Sequence, residues 1–304
     1  MKKFFLFAAV ALMAASCTSD PDMLQTESTV TNPEPTQVVL TFSPYQMEAM
    51  TRAGSVPGDS VAGSRRAPTT RAAVSISGIV DHLDVWIYES GTEVVAIHRS
   101  NAEHGQDFTT VSATLDKTKT YTLYAVAHKS APAMLTDGII SWPDDQVTHS
   151  MYYSQTFTPA ETTSLTCEMQ RIVAQFHFET TDAVPDDVTQ LRFTLAAVHD
   201  RWSITSGAAH EVNMTVTPAT IAKKADGTAN IYLYAIATDA QTLHTVTVEA
   251  LSSTDEVLQS RTFADVPLRN GYKTTYQGTY FTNAPSQATF TVESTWNTYD
   301  PVEF

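Results

Sequence analysis

Residues 83–91 read Leu-Asp-Val-Trp-Ile-Tyr-Glu-Ser-Gly, and this stretch is typical of the whole chain. Apolar side chains at positions 83, 85 and 87 alternate with their neighbours through Tyr88, and Ser90-Gly91 then ends the pattern. Alternation that stops at turn residues predicts a β-strand with one buried face.

The same alternation recurs throughout the sequence, whereas no segment shows the period of a helix of three or more turns. Asp226-Gly227 and Asn270-Gly271 are dipeptides of the kind that serve tight hairpins. We therefore predict an all-β chain of antiparallel sandwiches. Further strands are predicted at 37–42, 121–127, 172–178, 191–197, 231–237, 245–251, 276–281 and 288–296.

The length of the chain suggests two domains. Pro159–Thr166 looks like a connection between halves, which predicts an N-terminal β-sandwich domain at 37–165 and a C-terminal one at 166–304.

The first residues have the parts of a secretory signal: a basic start, an apolar run from Phe4 to Met13, and small residues before Cys17. The apolar run is shorter than the ~20 residues that span a bilayer. Ala14-Ala15-Ser16-Cys17 resembles the lipobox of bacterial lipoproteins. That resemblance implies a signal peptide at 1–16, acylation of Cys17 by chains such as palmitate, and a surface-exposed lipoprotein of the cell outer membrane. The alternative is an ordinary signal peptide cut near Ala15.

The charge balance excludes some partners. The chain has 18 basic and 33 acidic residues, and loss of Lys2 and Lys3 with the signal leaves 16 − 33 = −17. Such a charge disfavours nucleic acid and anionic lipid surfaces. The chain has two cysteines, so acylation of Cys17 would leave Cys167 as the single thiol. We expect Cys167 to be a buried apolar thiol.

Two segments near the N-terminus have loop composition. Residues 17–36 are rich in Thr, Ser, Pro and acids, which predicts a flexible, lipidated tether. Residues 51–73 hold four of the ten arginines and predict an exposed loop open to proteases. Cleavage there would release the strand at 37–42 and separate it from the body together with Cys17; alternatively, the arginines only keep the loop solvated. The candidate cleavage residues are Arg52, Arg66 and Arg71.

Several of these motifs, in this order, resemble the fimbrillin family of Bacteroidetes pilus (type V fimbriae) subunits. The similar stretches are 79–91 (early strand and turn), Met169-Gln170-Arg171 (start of the second domain), 268–272 (penultimate hairpin) and 292–297 (closing strand). The resemblance implies two transthyretin-like, Greek-key β-sandwich domains in tandem and assembly with other fimbrial subunits by strand donation. The length and the lipobox are most similar to those of the lipoprotein anchor subunits. This resemblance implies a fimbrial subunit that holds the pilus to the outer membrane and so supports adhesion.

The last predicted strand is a candidate donor. Its side chains Phe290, Val292 and Trp296 could fill the apolar pockets of a neighbour's open sheet. The alternative is that residues 288–296 form the ordinary last strand of their own sandwich.

No motif supports catalysis, a metal or a cofactor. The nine histidines show no closed ligand spacing and are interpreted as solvated turn residues. We therefore predict that the chain is not an enzyme. Trp142, in a predicted loop, could stack a sugar, so the alternative function is a non-polymerising surface lipoprotein that binds glycan or a host surface ligand.

Overall fold

The computed structural model describes residues 34–44, 76–129, 132–143, 147–282 and 289–293. Strands account for nearly all of their regular structure, which confirms the all-β prediction. Within these residues the one α-helix is a single turn, α1 (Asn101–His104). The strands are β1 (Pro35–Pro44), β2 (His82–Glu89), β3 (Thr92–Ser100), β4 (Thr110–Asp116), β5 (Tyr121–His128), β6 (Met134–Thr136), β7 (Ile139–Ser141), β8 (Met151–Phe157), β9 (Ser164–Arg171), β10 (Ala174–Ala183), β11 (Gln190–Ser203), β12 (Gly207–Val216), β13 (Thr228–Ala235), β14 (Thr242–Leu251), β15 (Val257–Leu268), β16 (Lys273–Gly278) and β17 (Thr289–Glu293).

The strands form three sheets. A seven-stranded sheet has the order β3-β2-β5-β8-β9-β1-β4. A four-stranded sheet has the order β13-β10-β16-β17, and a six-stranded sheet consists of β15-β14-β11-β7-β6 with β12 paired to β11. All described residues belong to one compact unit that begins at Glu34.

The seven-stranded sheet surrounds the first core. Only two residue pairs join β8 to β9. The strands on one side of this link, β3, β2, β5 and β8, and those on the other, β9, β1 and β4, contribute side chains to the same core. Alternating residues of β1, β2 and β5 point inward, as the pattern at residues 83–88 predicts. The first core includes Val38, Leu40, Phe42, Leu83, Val85, Ile87, Phe108, Leu123 and Cys167.

The four-stranded and six-stranded sheets share the second core. The inward positions predicted for 172–178 and 191–197 are buried, with Phe176, Phe178, Leu191, Phe193 and Leu195 at most 1% exposed. Strand β11 contributes to this core through its first half and then continues toward a third cluster.

The third cluster, here the junction core, combines residues from positions 86 to 236, including strands of two different sheets. Trp86 and Val126 come from the seven-stranded sheet, and Trp202 comes from β11. The hairpin of β6 and β7 also contributes, because β7 pairs with residues 201–203 of β11. The junction core consists of Trp86, Val126, Ala133, Ile140, Trp142, Val147, Ile172, Val173, Trp202 and Ile236.

Two connections differ from those expected from the sequence. Residues 158–163 connect β8 to β9 within the seven-stranded sheet, and the position between 165 and 166, where the sequence suggested a boundary, lies inside β9. The reason is the parallel pairing of β9 with β1, which keeps residues 164–171 on the first core. Asn270-Gly271 forms a turn between strands of different sheets rather than a tight hairpin.

Candidate functional site

Strand β1 occupies an internal slot of the seven-stranded sheet. It pairs in parallel with β9 and antiparallel with β4. Val38 and Leu40 are fully buried and Phe42 is 3% exposed, so one face of the strand fills pockets of the first core. The prediction of a strand at 37–42 with this buried face is confirmed.

The neighbouring strand β4 depends on β1. Among the described strands, β4 pairs with β1 alone, through seven residue pairs from Pro35↔Asp116 to Thr41↔Thr110. Removal of β1 would therefore leave unpaired backbone groups on both β4 and β9 and open apolar pockets between them. A replacement strand would have to satisfy both neighbours.

The residue before β1 is held to the body, and the chain rejoins the first core at Ile76. The Lys117 backbone N–H donates to the Glu34 carbonyl oxygen at 3.0 Å, and the two side chains form an ion pair. After residues 45–75, the chain is described again from Ile76, which is 2% exposed in the first core. The candidate cleavage residues Arg52, Arg66 and Arg71 lie outside the described residues, as does the lipidation candidate Cys17.

Cys167 borders the slot. It lies opposite Phe42 in the parallel register and is fully buried, as the sequence predicted. Burial raises the pKa of its thiol to about 12. At neutral pH the group is therefore a protonated, unreactive thiol.

The candidate donor strand pairs with its own sheet. β17 pairs antiparallel with β16, and Phe290 packs against Phe263 and Tyr276 of the second core. Val292 is 37% exposed, and Glu293 forms an ion pair with Lys273 at 3.3 Å. This matches the interpretation of an ordinary last strand for residues 289–293; Trp296 lies outside the described residues.

Searches against protein-family models and curated proteins found no match. Solved structures do match. An adhesin candidate from Bacteroides thetaiotaomicron is 12% identical and aligns with a TM-score of 0.50 over 84% of this chain and 95% of its own. A polysaccharide-binding candidate from the same organism is 10% identical, with a TM-score of 0.51 over 85% and 96%. The chain shares the fold of these Bacteroides proteins. The fimbrial anchor protein Mfa2 from Porphyromonas gingivalis is 11% identical, with a TM-score of 0.48 over 86% and 98%.

Asp182 holds residues 280–282, which follow β16. Its carboxylate accepts backbone N–H groups from Tyr280 at 2.8 Å and Thr282 at 2.7 Å. The Tyr280 hydroxyl in turn donates to the Val248 carbonyl oxygen at 2.7 Å. The carboxylate and the Tyr280 hydroxyl therefore hold residues 280–282 against the second core.

We expect Asp182→Asn to loosen this segment, because an amide has one acceptor oxygen for two N–H donors. The free energy of unfolding should fall by about 1–3 kcal/mol. Amide exchange at residues 280 and 282 should accelerate. Asp186→Asn, at an exposed position nearby, is the control. Equal effects of the two substitutions would contradict this role of the Asp182 carboxylate.

Trp142 is not the exposed aromatic that the sequence led us to expect. Its side chain is 2% exposed and packs in the junction core, because residues 139–141 pair with β11 and bring it inward. A buried indole offers no face to a sugar, so the predicted ligand contact at Trp142 is corrected.

The histidines are also not solvated turn residues as a group. His128 is fully buried, His149 is 5% exposed and His177 is 6% exposed. Asp200, which follows His199 on β11, is buried and pairs with His210 across the β11–β12 ladder at 2.7 Å. Within the described residues, no group of three or more His, Cys, Asp or Glu residues has metal-binding geometry.

His149 is held neutral in the interior. Its Nε2 accepts a hydrogen bond from Arg171 Nε at 3.0 Å, and its ring stacks on Tyr234 at 5.5 Å. Burial first, and then the charges of Arg171 and Lys129, hold the pKa of His149 well below 6.5. Burial also lowers the pKa of Arg171 to about 10.

This histidine predicts acid sensitivity. Because the unfolded chain binds the proton more readily, stability should fall as the pH drops below about 6.5, by at most about 1.4 kcal/mol per pH unit for one histidine. The free energy of unfolding, measured with denaturant from about pH 7.5 to 5, should fall less steeply with decreasing pH in His149→Gln than in the wild type. His104→Gln, on α1, should keep the wild-type slope; loss of slope in both variants would contradict the assignment.

Among the described residues, no helix has the length and apolar character needed to cross a bilayer.

Proposed function

We propose that this chain is a non-catalytic fimbrial subunit displayed at the cell surface, where it pairs with other fimbrial subunits by strand exchange. The observation that carries the proposal is the slot of β1. It is an internal strand at the N-terminal end of the body, with three buried side chains, and it pairs with β9 and with β4, which has no other partner among the described strands. The fold shared with a Bacteroides adhesin candidate supports a role in adhesion.

The slot is suited to exchange because β1 is joined to the rest of the body through residues 45–75, which include the arginine-rich stretch 51–73. A cut after Arg52, Arg66 or Arg71 would leave β1 held by hydrogen bonds and apolar contacts alone. A donor strand that supplies the same backbone groups and alternate apolar side chains could then replace it. Residues 288–296 have that alternation.

Acylation at Cys17 would place the uncut form at the outer membrane as an anchor. A cut in residues 51–73 would separate that lipid from the body. Both roles cannot hold for one molecule. We therefore propose the uncut, lipidated anchor as the principal form, and exchange at the slot of β1 as a property of the cut form. Labelling of cells with an alkyne fatty acid should mark the wild-type chain and not Cys17→Ser.

Strand exchange can be tested on the full chain carrying Cys17→Ser, which leaves Cys167 as the single thiol. A recognition site for a specific protease is placed within residues 51–73. Before cutting, Cys167 should resist thiol reagents. After cutting, an excess of isotope-labelled peptide 34–44 should enter the slot, and native mass spectrometry should detect the exchange.

The matched control is the same peptide with Leu40→Asp, which should not enter. Peptide 287–298 tests the candidate donor strand in the same assay. If the cut protein keeps its own β1 and takes up no peptide, strand exchange at this slot is wrong. Uptake of 34–44 without 287–298 would retain the slot and reject the donor segment.

A further inference from the structure

Three histidines form a stack across three adjacent strands of the seven-stranded sheet. His82 on β2 lies between His98 on β3 and His128 on β5. The ring centroids are 5.4 Å and 5.6 Å from that of His82, with interplanar angles of 24° and 12°. Cross-strand register creates the arrangement, since His82 pairs directly with His128.

A single buried carboxylate holds this stack. Asp84 is 4% exposed and lies 2.7 Å from both His98 Nδ1 and His128 Nε2. A carboxylate only accepts hydrogen bonds, so the facing nitrogen of each ring carries a proton. The same carboxylate accepts the backbone N–H of Ala133 at 3.0 Å.

The Ala133 contact links the stack to the junction core. Ala133 is itself part of that core and directly precedes the hairpin of β6 and β7. This hairpin pairs with β11 through residues 139–141. Asp84 thus joins the histidine stack to the hairpin of β6 and β7, which lies at the edge of the six-stranded sheet.

His82 has no favourable place for a second proton. Its Nδ1 is buried without a hydrogen-bond partner. The charged or titratable groups that face it are His128, His98, Asp84 and Asp81. Burial first, and then the two neighbouring histidines, lower its pKa.

One carboxylate balances one imidazolium. A further proton would place like charges on neighbouring rings, whose centroids are 5.4 Å and 5.6 Å apart. Their repulsion is weakly screened because the rings lie away from bulk water. The geometry therefore stabilises the stack with His82 in its neutral form.

We propose that His82, His98, His128 and Asp84 form a proton-operated latch on the β6–β7 hairpin. Near neutral pH His82 is neutral and Asp84 holds Ala133. In mild acid His82 takes up a proton that the closed stack disfavours, so a state in which its ring reaches water gains in population. In that state Asp84 loses its hold on the Ala133 amide, and residues 134–141 detach from β11. Acid would thus loosen the joint at the junction core before the cores on either side of it.

Hydrogen exchange on the full chain tests the latch. After correction for intrinsic rates, protection of the Ala133 amide and of residues 134–141 should fall between about pH 7.5 and 5.5, by up to about tenfold per pH unit for each proton taken up. The amide of Phe176 in β10 should keep its protection. His82→Gln, which cannot gain this charge, should retain protection of the hairpin in acid.

His149→Gln serves as the matched control, because this histidine is also buried at the junction but lies outside the stack. It should keep the acid-induced opening of the hairpin. If His82→Gln opens with the same pH dependence as wild type, or if His149→Gln abolishes the response, the latch is overturned.

A second measurement uses the wild-type chain and so does not depend on whether a variant folds. The imidazole resonances of His82 can be titrated by NMR in the wild-type chain. Their midpoint should coincide with that of hairpin opening; a hairpin that stays protected after His82 has been protonated would equally overturn the proposal.

Discussion

Leu40→Ala in β1 is expected to lower the free energy of unfolding by about 2–5 kcal/mol, because it removes a fully buried side chain from the first core. Typical domains have a total stability of about 5–15 kcal/mol, so this is a large fraction. Urea unfolding followed by circular dichroism measures the change. The effect should extend to β4, whose pairing runs through β1.

Thr41→Ala is the matched control, one residue along the same strand and on its exposed face. It should change stability by about 0.5 kcal/mol or less. Similar losses for the two variants would show that β1 does not fill the first core as described. In the cut protein, Leu40→Ala should also speed the release of β1, since fewer apolar contacts hold it.

The internal position of β1 has a consequence for assembly. An edge strand could leave a sheet with one neighbour disturbed, but β1 leaves both β9 and β4 with unpaired backbone groups. An emptied slot is therefore unstable and favours rapid filling by another strand. Exchange through a transiently open slot follows from this topology more readily than storage of an empty one.

Alternation in the sequence was sufficient to predict individual strands. The inward faces of β1, β2, β10 and β11 followed directly, because each strand lines a core on one side and apolar side chains mark that side. Alternation is a local property. It states which face of a strand is buried but not which strand lies beside it.

Pairing between distant strands could not be predicted for the same reason. Nothing local to Ser164–Arg171 indicates that β1, more than a hundred residues earlier, is its parallel partner. The position of Trp142 depends on a hairpin that pairs with β11. The histidine stack arises from the register of β2 with β5, which brings His82 beside His128 although the sequence separates them widely.

Phe178→Ala should produce the other large loss, about 3–5 kcal/mol. The ring is fully buried and contacts three aromatic rings, those of Phe193 at 5.4 Å, Tyr276 at 5.0 Å and Tyr280 at 5.4 Å. Phe193 belongs to the six-stranded sheet and Tyr276 to the four-stranded sheet, so the ring bridges the two. Thr181→Ala, an exposed position on the same strand, is the control and should be nearly neutral.

The same variant tests whether the cores unfold together. In a chain carrying Cys17→Ser and Trp296→Phe, Cys167 reports on the first core, and the remaining tryptophans report on the junction core. Trp86 of β2 and Trp202 of β11 pack in one cluster, so the junction core links the sheets of the first and second cores. Loss of the second core should therefore expose the tryptophans and also Cys167. Phe178→Ala should then shift the thiol-labelling and fluorescence transitions to the same lower urea concentration. A thiol transition that stays at the wild-type midpoint would instead mean that the first core, with the slot of β1, is stable on its own.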